Sequence, residues 1–531
     1  MKIFIDTLES NYSLYGQRYF SEKSGIKPDE LKRWFTANKF IDDKDGGCKN
    51  KIEGHIIYRS KKIPVFSYPA EILSDGDYRL MYSGQNRQYP CIVFGEDRID
   101  VGLDLFEHIG FCLSGNLERF RENNEDEINN LIRLPFVDYY CKILSDIFLY
   151  AHQKSNLPLI KKSLWKNGQK YAVCLTHDVD EVKKSYQWIT HPLKLVKKKD
   201  FNGFLNQFYS FVQKIKGYEP YWTFEKVMEM EGNLNVKSSF YFLNESGRIK
   251  YLDKTTWRHA GRNYDWNDPK IKELIREIHS KGWEVGLHGS FYSYNNPELL
   301  KNEKDSLENV LGNRIFGGRQ HNLNLTIPNT WIFHENAGLL YDTTLGSNKY
   351  LGFRWGSCFP FRPFYEDENR ELDLLEIPTV IEDLPYFRFQ DPWSEFLKIE
   401  KEVEEVGGVL TLLWHHSVLN DYEFPGWADE YKRVVRYCND KESWVTSAKE
   451  IYEWWKWREL TSFDYEYDGD TIRIFPFPEN EVHYFDIYFP DDVSLKNIIN
   501  AKILKSKNNM VSIQTDKLYH GEFIELEVLG G

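Results

Sequence analysis

Along the chain the hydrophobic positions change their period twice. Up to residue 165, short apolar runs such as HIIYRS, YRLMYS and CIVFG give way to two longer stretches, VGLDLFEHIGFCLSGNLERF and VDYYCKILSDIFLYAHQ, with helix-like spacing. Short strands followed by helices predict an N-terminal α+β domain over 1–165. From 166 to 460, apolar runs (YAVCLTH, VKSSFYFL, WEVGLH, RIFGGR, LLYDTTL, LLEIPTV and GVLTLLWH) alternate with helical stretches such as PKIKELIREIHSKG and SEFLKIEKEVEEVG. A strand–helix repeat of this kind needs a parallel sheet with crossovers, and seven such strands predict a (β/α) barrel. Over 461–531 the helices stop, and the alternation in FDYEYDGDTIRIFPF, HYFDIYFPDD, MVSIQTDKL and EFIELEVL predicts a small β-sandwich-like domain.

Most of the strands expected in 166–460 finish in His, Asp, Arg or Thr. In a (β/α) barrel the C-terminal edge of the strands is where side chains from several strands converge on one site. THDVD, residues 176–180, is the densest of these ends. Its Asp178 and Asp180 lie two apart and share one side of an extended chain, so one can hold a cation while the other moves a proton. The plainer account is that they cap the next helix or pair with Lys183 and Lys184.

Composition narrows the partners. A formal charge of -13 over 531 residues argues against a uniformly basic nucleic-acid binder, and no nucleic-acid partner is expected. Cys48, Cys91, Cys112, Cys141, Cys174, Cys358 and Cys438 are scattered, odd in number and never spaced as CxxC, which fits reduced thiols better than disulfides or a zinc knuckle. No apolar run approaches the roughly 18 residues of a membrane span, and the opening MKIFIDTLES is too short in apolar residues for a signal-peptide core. A cytoplasmic protein is the expectation.

Five motifs follow one another at the expected strand ends: THDVD (176–180), GLHGS (286–290), GGRQH (317–321), YDTTLG (341–346) and LLWHH (412–416). Together they resemble the polysaccharide deacetylase family, the NodB-homology or carbohydrate esterase 4-like group. Within it they are similar to a bacterial subgroup with THDVD, GLHxS, GGRQH, GFRxGTxxPF and LLWH motifs and an N-terminal domain of unknown role; here the fourth reads GFRWGSCFPF. The resemblance implies a distorted (β/α)7 barrel that removes an acetyl group from an N-acetylated sugar of a polysaccharide or glycan precursor with the help of a divalent metal. It implies Asp178 as general base, Asp180 and His288 as metal ligands, Arg319 as the partner that orients the base, and His415 as the acid for the leaving amine. Where the family's second metal His is expected, this chain has Tyr292. His321 is taken as the third ligand, with His177 as its competitor. One carboxylate and two imidazoles suit Zn²⁺. Asp342 is the expected carboxylate partner of His415, and His416 is expected to face away.

Each residue alone also has a structural account: His288 as a core histidine, His321 as a structural donor, Arg319 as a surface ion pair. Their joint occurrence in order favours one site. Trp355, Phe359 and Phe361 form either a wall for a sugar ring or an aromatic core stripe. The basic stretch 183–200, KKSYQWITHPLKLVKKKD, reads as a solvated crossover insert, with contact to lipid headgroups or a pyrophosphate-linked substrate as the weaker alternative. Two other functions stand beside deacetylation. One is a degenerate glycan-binding module, motivated by Tyr292. The other is a haloacid-dehalogenase-like phosphatase, since DVDEV fits DxDx[TV] with Asp178 as nucleophile; its acidic pair would be Asp491 and Asp492, far away in the C-terminal region.

Overall fold

The structure, a computed structural model, describes residues 1–7, 10–40, 48–49, 52–67, 78–82, 88–118, 131–245, 262, 264–491 and 493–530. Its centre is a curled parallel sheet built of β1 (Tyr171–Val179), β2 (Ser239–Leu243), β3 (Glu284–Gly289), β4 (Gly317–Gln320), β5 (Tyr341–Asp342), β6 (Leu375–Glu376), β7 (Ile381–Glu382), β8 (Val409–Leu413) and β9 (Ser443–Thr446). The order is β6-β5-β4-β3-β2-β1-β8-β7, with β9 also pairing with β1. Every residue of β1 is buried, as a strand covered on both faces requires, which is why it reads as an unbroken apolar run. The segment 375–382 links the two ends of the sheet. Ile377 N donates to Asp342 O and Thr379 N to Leu345 O on one side, while Val380 N donates to Thr411 O on the other. The expected run LLEIPTV thus supplies β6 and leads directly into β7, giving a distorted barrel. SWVT at β9 is too short to stand out by pattern.

The crossover helices carry their limits in sequence. Pro269–Ser280 starts with Asp268, whose side chain accepts from Lys270 N, and has proline in its first turn. Its inward residues Ile271, Leu274, Ile275 and Ile278 recur at i, i+3, i+4 and i+7, each stabilising by about 1.5–3 kcal/mol when fully buried. Pro392–Val406 repeats the plan with Asp391 before it and Gly407 after it at φ 76°.

The N-terminal region forms a seven-stranded mixed sheet with helices Asn11–Ser24 and Phe136–Lys154 packed on it. Its hydrophobic core runs on into the barrel without a break. At that seam the buried Asp138 accepts from Lys23 Nζ (2.7 Å), Ser357 Oγ (2.8 Å) and Cys358 N (2.8 Å), so its charge is paired and its lone pairs are used. Leu159–Lys162 departs from the sequence-based boundary at 165. It pairs antiparallel with Tyr484–Tyr488 and so belongs to the C-terminal sandwich. A four-residue strand whose partner lies over 300 positions away leaves no local signal. The sandwich has two four-stranded sheets around its own core of Phe463, Ile472, Ile474, Phe485, Ile487 and Ile513.

The register fixes the height of the polar strand ends. Asp178 lies opposite Tyr241, and His288 lies between Leu243 on β2 and Arg319 on β4. Glycine at 318 lets β4 come this close to β3, because a β-carbon there would overlap the Leu287 carbonyl oxygen. Gly318→Ala should therefore cost at least about 1–3 kcal/mol, by displacing a strand rather than a flexible side chain. Urea unfolding measures the loss; an unchanged midpoint would refute this close contact.

Candidate functional site

Four strand ends meet at one mouth of the barrel. From β1, Asp178 turns its two oxygens to different partners: Oδ1 accepts from Arg319 Nη1 at 2.7 Å, and Oδ2 lies 3.5 Å from His288 Nε2. Two residues on, Asp180 Oδ1 lies 3.2 Å from His288 Nε2, and Oδ2 lies 3.2 Å from Arg262 Nη2 and 3.7 Å from His321 Nε2. His288 comes from β3, Arg319 from β4 and His321 from the turn after it. His415, just beyond β8, is held by Asp383, whose Oδ2 accepts from the His415 backbone N–H (2.7 Å) and whose Oδ1 lies 3.0 Å from Nδ1.

Arg319 is fixed on every side. Besides Asp178, its guanidinium donates to Thr176 Oγ1 (2.9 Å), Thr379 Oγ1 (3.0 Å) and the Thr343 carbonyl (3.2 Å). A rigid fork with this many acceptors orients the carboxylate it holds. Burial on its own would raise the pKa of Asp178, but the positive fields of His288, Arg319 and His415 outweigh it and hold the carboxyl below its usual value. For Asp180, the Arg262 guanidinium overcomes burial in the same way, leaving it well below the usual range. His415 moves the other way. Burial disfavours its charge, yet Asp383, Asp180 and Asp178 push its pKa up to about 10, so it is an imidazolium at neutral pH rather than a group poised there.

The ring nitrogens are assigned by their partners. His288 Nδ1 lies 3.0 Å from the Arg319 carbonyl, which can only accept, so Nδ1 carries hydrogen and Nε2 faces both aspartates. Arg262 Nη1 lies 2.8 Å from His321 Nε2, and because a guanidinium can only donate, that nitrogen is the acceptor. His321 Nδ1 then points toward Glu245 Oε2, 3.4 Å away.

Several expected placements are corrected. Asp342 is not the partner of His415. It accepts from Thr344 Oγ1 at 2.5 Å, lies 3.5 Å from His334 Nδ1 and interacts with the buried Glu376, while Asp383 holds the imidazole. Strand pairing puts Asp342 on β5, whereas Asp383 begins the turn after β7, beside β8. His177 points away from the mouth and bonds the Trp414 carbonyl (2.7 Å) and Glu231 (2.9 Å), as alternation along β1 dictates. Tyr292 is 49% exposed. Trp355, Phe359 and Phe361 are core, with Trp355 stacked on Phe361 and Phe359 on Trp165. Their motif lines the seam to the N-terminal region, where Val137 N donates to Gly356 O. His416, expected to face away, is a buried structural residue, 3.2 Å from the Asp178 carbonyl and stacked on Phe224, and burial pushes its pKa down to about 4. Lys184 pairs with Glu423 rather than with either aspartate. Of the acidic pair in the phosphatase reading, Asp492 lies outside the described residues.

Sequence reasoning missed Asp383, Glu245 and Arg262. Asp383 directly follows the two-residue β7, which is too short to stand out from the run before it, and Arg262 sits in a stretch with no periodic pattern at all.

Among the described residues no three His, Cys, Asp or Glu side chains form a closed metal-ligand cluster. The donor chemistry around Asp180 nevertheless fits a divalent cation. Asp180 Oδ1 is buried without a hydrogen-bond partner, His288 is locked with Nε2 outward, and His321 Nε2 presents a lone pair to a cation, here Arg262.

No family model and no curated protein matches the chain. Among solved structures it is similar to a Mycobacterium smegmatis protein named as a polysaccharide deacetylase, at 17% identity over 56% of this chain and 94% of that one, with a TM-score of 0.38. A Pseudomonas aeruginosa protein of the same designation is 14% identical over 57% and 96%, TM-score 0.35. A carbohydrate esterase family 4 pseudoenzyme from Bacillus anthracis is 9% identical over 54% and 66%, TM-score 0.27.

Proposed function

We propose that this chain is a metal-dependent hydrolase that releases acetate from an N-acetylated sugar of a polysaccharide or glycan precursor. The observation that carries the reading is Asp178, aimed through Oδ1 by the buried Arg319, beside Asp180, His288 and His321. Those last three residues would hold the ion, with Arg262 giving up its bond to His321 Nε2. A divalent ion, Zn²⁺ by the kind of donors, supplies charge that polarises the acetyl carbonyl and acidifies water. Asp178 takes the proton of the attacking water at Oδ2, the oxygen that Arg319 leaves unused. His415, with Nδ1 on Asp383, offers its Nε2 proton to the departing amine nitrogen.

A glycan-binding module without turnover is the second reading, and Arg262 favours it by putting a guanidinium where the cation would sit. The phosphatase reading has less support. That reading needs a lysine beside the aspartates, and among the described residues Asp178 and Asp180 pair with arginine and histidine instead.

Acetate release from a panel of N-acetylated sugars and oligosaccharides, with added Zn²⁺ and after chelation, tests the proposal. Release that stops on chelation and returns with the metal is the expected result. Retention of glycan with no acetate and no stoichiometric zinc would establish the binding module instead.

A further inference from the structure

The chain leaves the site through an unusual element. After Asp180 it forms a helical hairpin, α1 (Gln187–Lys198) and α2 (Phe201–Ile215), joined by a tight turn and packed through Trp188 against Phe211. Its amphipathicity is inverted. On α2 the side turned to the protein is polar, with Gln207 and Ser210 buried and Lys184 Nζ donating to Gln207 Oε1 at 2.5 Å. The apolar stripe Phe201, Phe204, Phe208, Phe211 and Ile215 faces outward, 44–80% exposed. On α1, Ile189, Leu193 and Val196 are 56–67% exposed. A solvated insert has no use for such a face, and apolar patches of this size on a surface mark an interaction site.

We propose that this hairpin seats the protein on an anionic lipid surface, both helices lying in the plane of the headgroups with their apolar stripes in the acyl boundary. Charge selects this occupant. Residues 187–216 hold six lysines and one acidic residue, Asp200, so the hairpin is net positive in a chain of net charge -13, and an anionic bilayer attracts it while repelling the rest on balance. Lys197, Lys198 and Lys199 cluster at the turn between the two helices, and Lys214 and Lys216 lie beside Ile215, so basic residues accompany the apolar stripe as in interfacial helices. A second copy docking through the same face would bring its lysines against these. At 12 and 15 residues the helices are too short to span, and among the described residues no helix is long and apolar enough to cross a membrane. The seat is firm because Lys184 and His191 both pair with Glu423, in the loop beyond β8, at 2.5 and 2.8 Å.

Flotation of the full chain with vesicles of phosphatidylcholine containing phosphatidylglycerol, or of phosphatidylcholine alone, tests this. Wild type should float with the anionic vesicles and come off at high salt. The exposed pair Phe204→Ser and Phe208→Ser should cut partitioning by about tenfold or more with the thermal midpoint unchanged. Lys197→Glu with Lys198→Glu should remove the salt-sensitive part. Asp178→Asn should float like wild type, so the outcome is separate from the catalytic reading. No flotation of wild type, equal flotation of the phenylalanine variant, or a dimer in sedimentation that the variant dissociates without vesicle binding would overturn the proposal.

Discussion

Asp178→Asn is expected to give a folded protein that releases acetate about 10²–10⁴-fold more slowly, the range lost when a positioned proton acceptor is removed. The substitution is nearly isosteric, and the amide oxygen can still accept from Arg319 Nη1, which donates to Oδ1 at 2.7 Å in the parent. What disappears is the negative charge, and with it the ability to take a proton at Oδ2. The fall should appear in kcat, because the lost charge takes the proton of the attacking water rather than holding the substrate. Zinc uptake should survive, since the proposed cation position uses Asp180, His288 and His321 rather than Asp178. Glycan retention should survive as well, which separates a catalytic effect from lost binding. An Asn variant with wild-type turnover would remove the base from the scheme.

Much of this site was legible because a parallel barrel converts sequence order into spatial convergence. Asp178, His288, Arg319 and His415 all lie within a few residues of the end of an apolar run, and those ends share one mouth. What stayed hidden depends on partners distant in sequence. Asp383 follows a two-residue strand that pattern alone does not separate from the run before it. Arg262 reaches Asp180 from a stretch without periodicity. Leu159–Lys162 finds its sheet only through residues near 485. The aromatic motif at 352–361 was ambiguous because wall and core share a composition, and burial against the N-terminal region decides it. The hairpin shows the converse. Its 3.6-residue period was present in the sequence, but period says which residues share a face and not whether that face meets protein or solvent.

Arg319→Met should be the most destabilising single change at the site. The guanidinium is buried and makes four bonds, to Thr176, Asp178, Thr343 and Thr379, and its loss strands Asp178 as a buried carboxylate whose remaining close neighbour is the His288 ring at 3.5 Å. Removing one partner of a buried ion pair costs about 3–5 kcal/mol, because the other charge stays desolvated. Urea unfolding of the metal-free protein measures it. If the cost comes from the stranded charge rather than from lost volume, the double variant with Asp178→Asn should be more stable than Arg319→Met alone, although it carries one more substitution. The two changes would then be strongly coupled, with an interaction energy of about 1–3 kcal/mol. Additive losses would show that Arg319 acts as packing, and Asp178 would then need another explanation for its orientation.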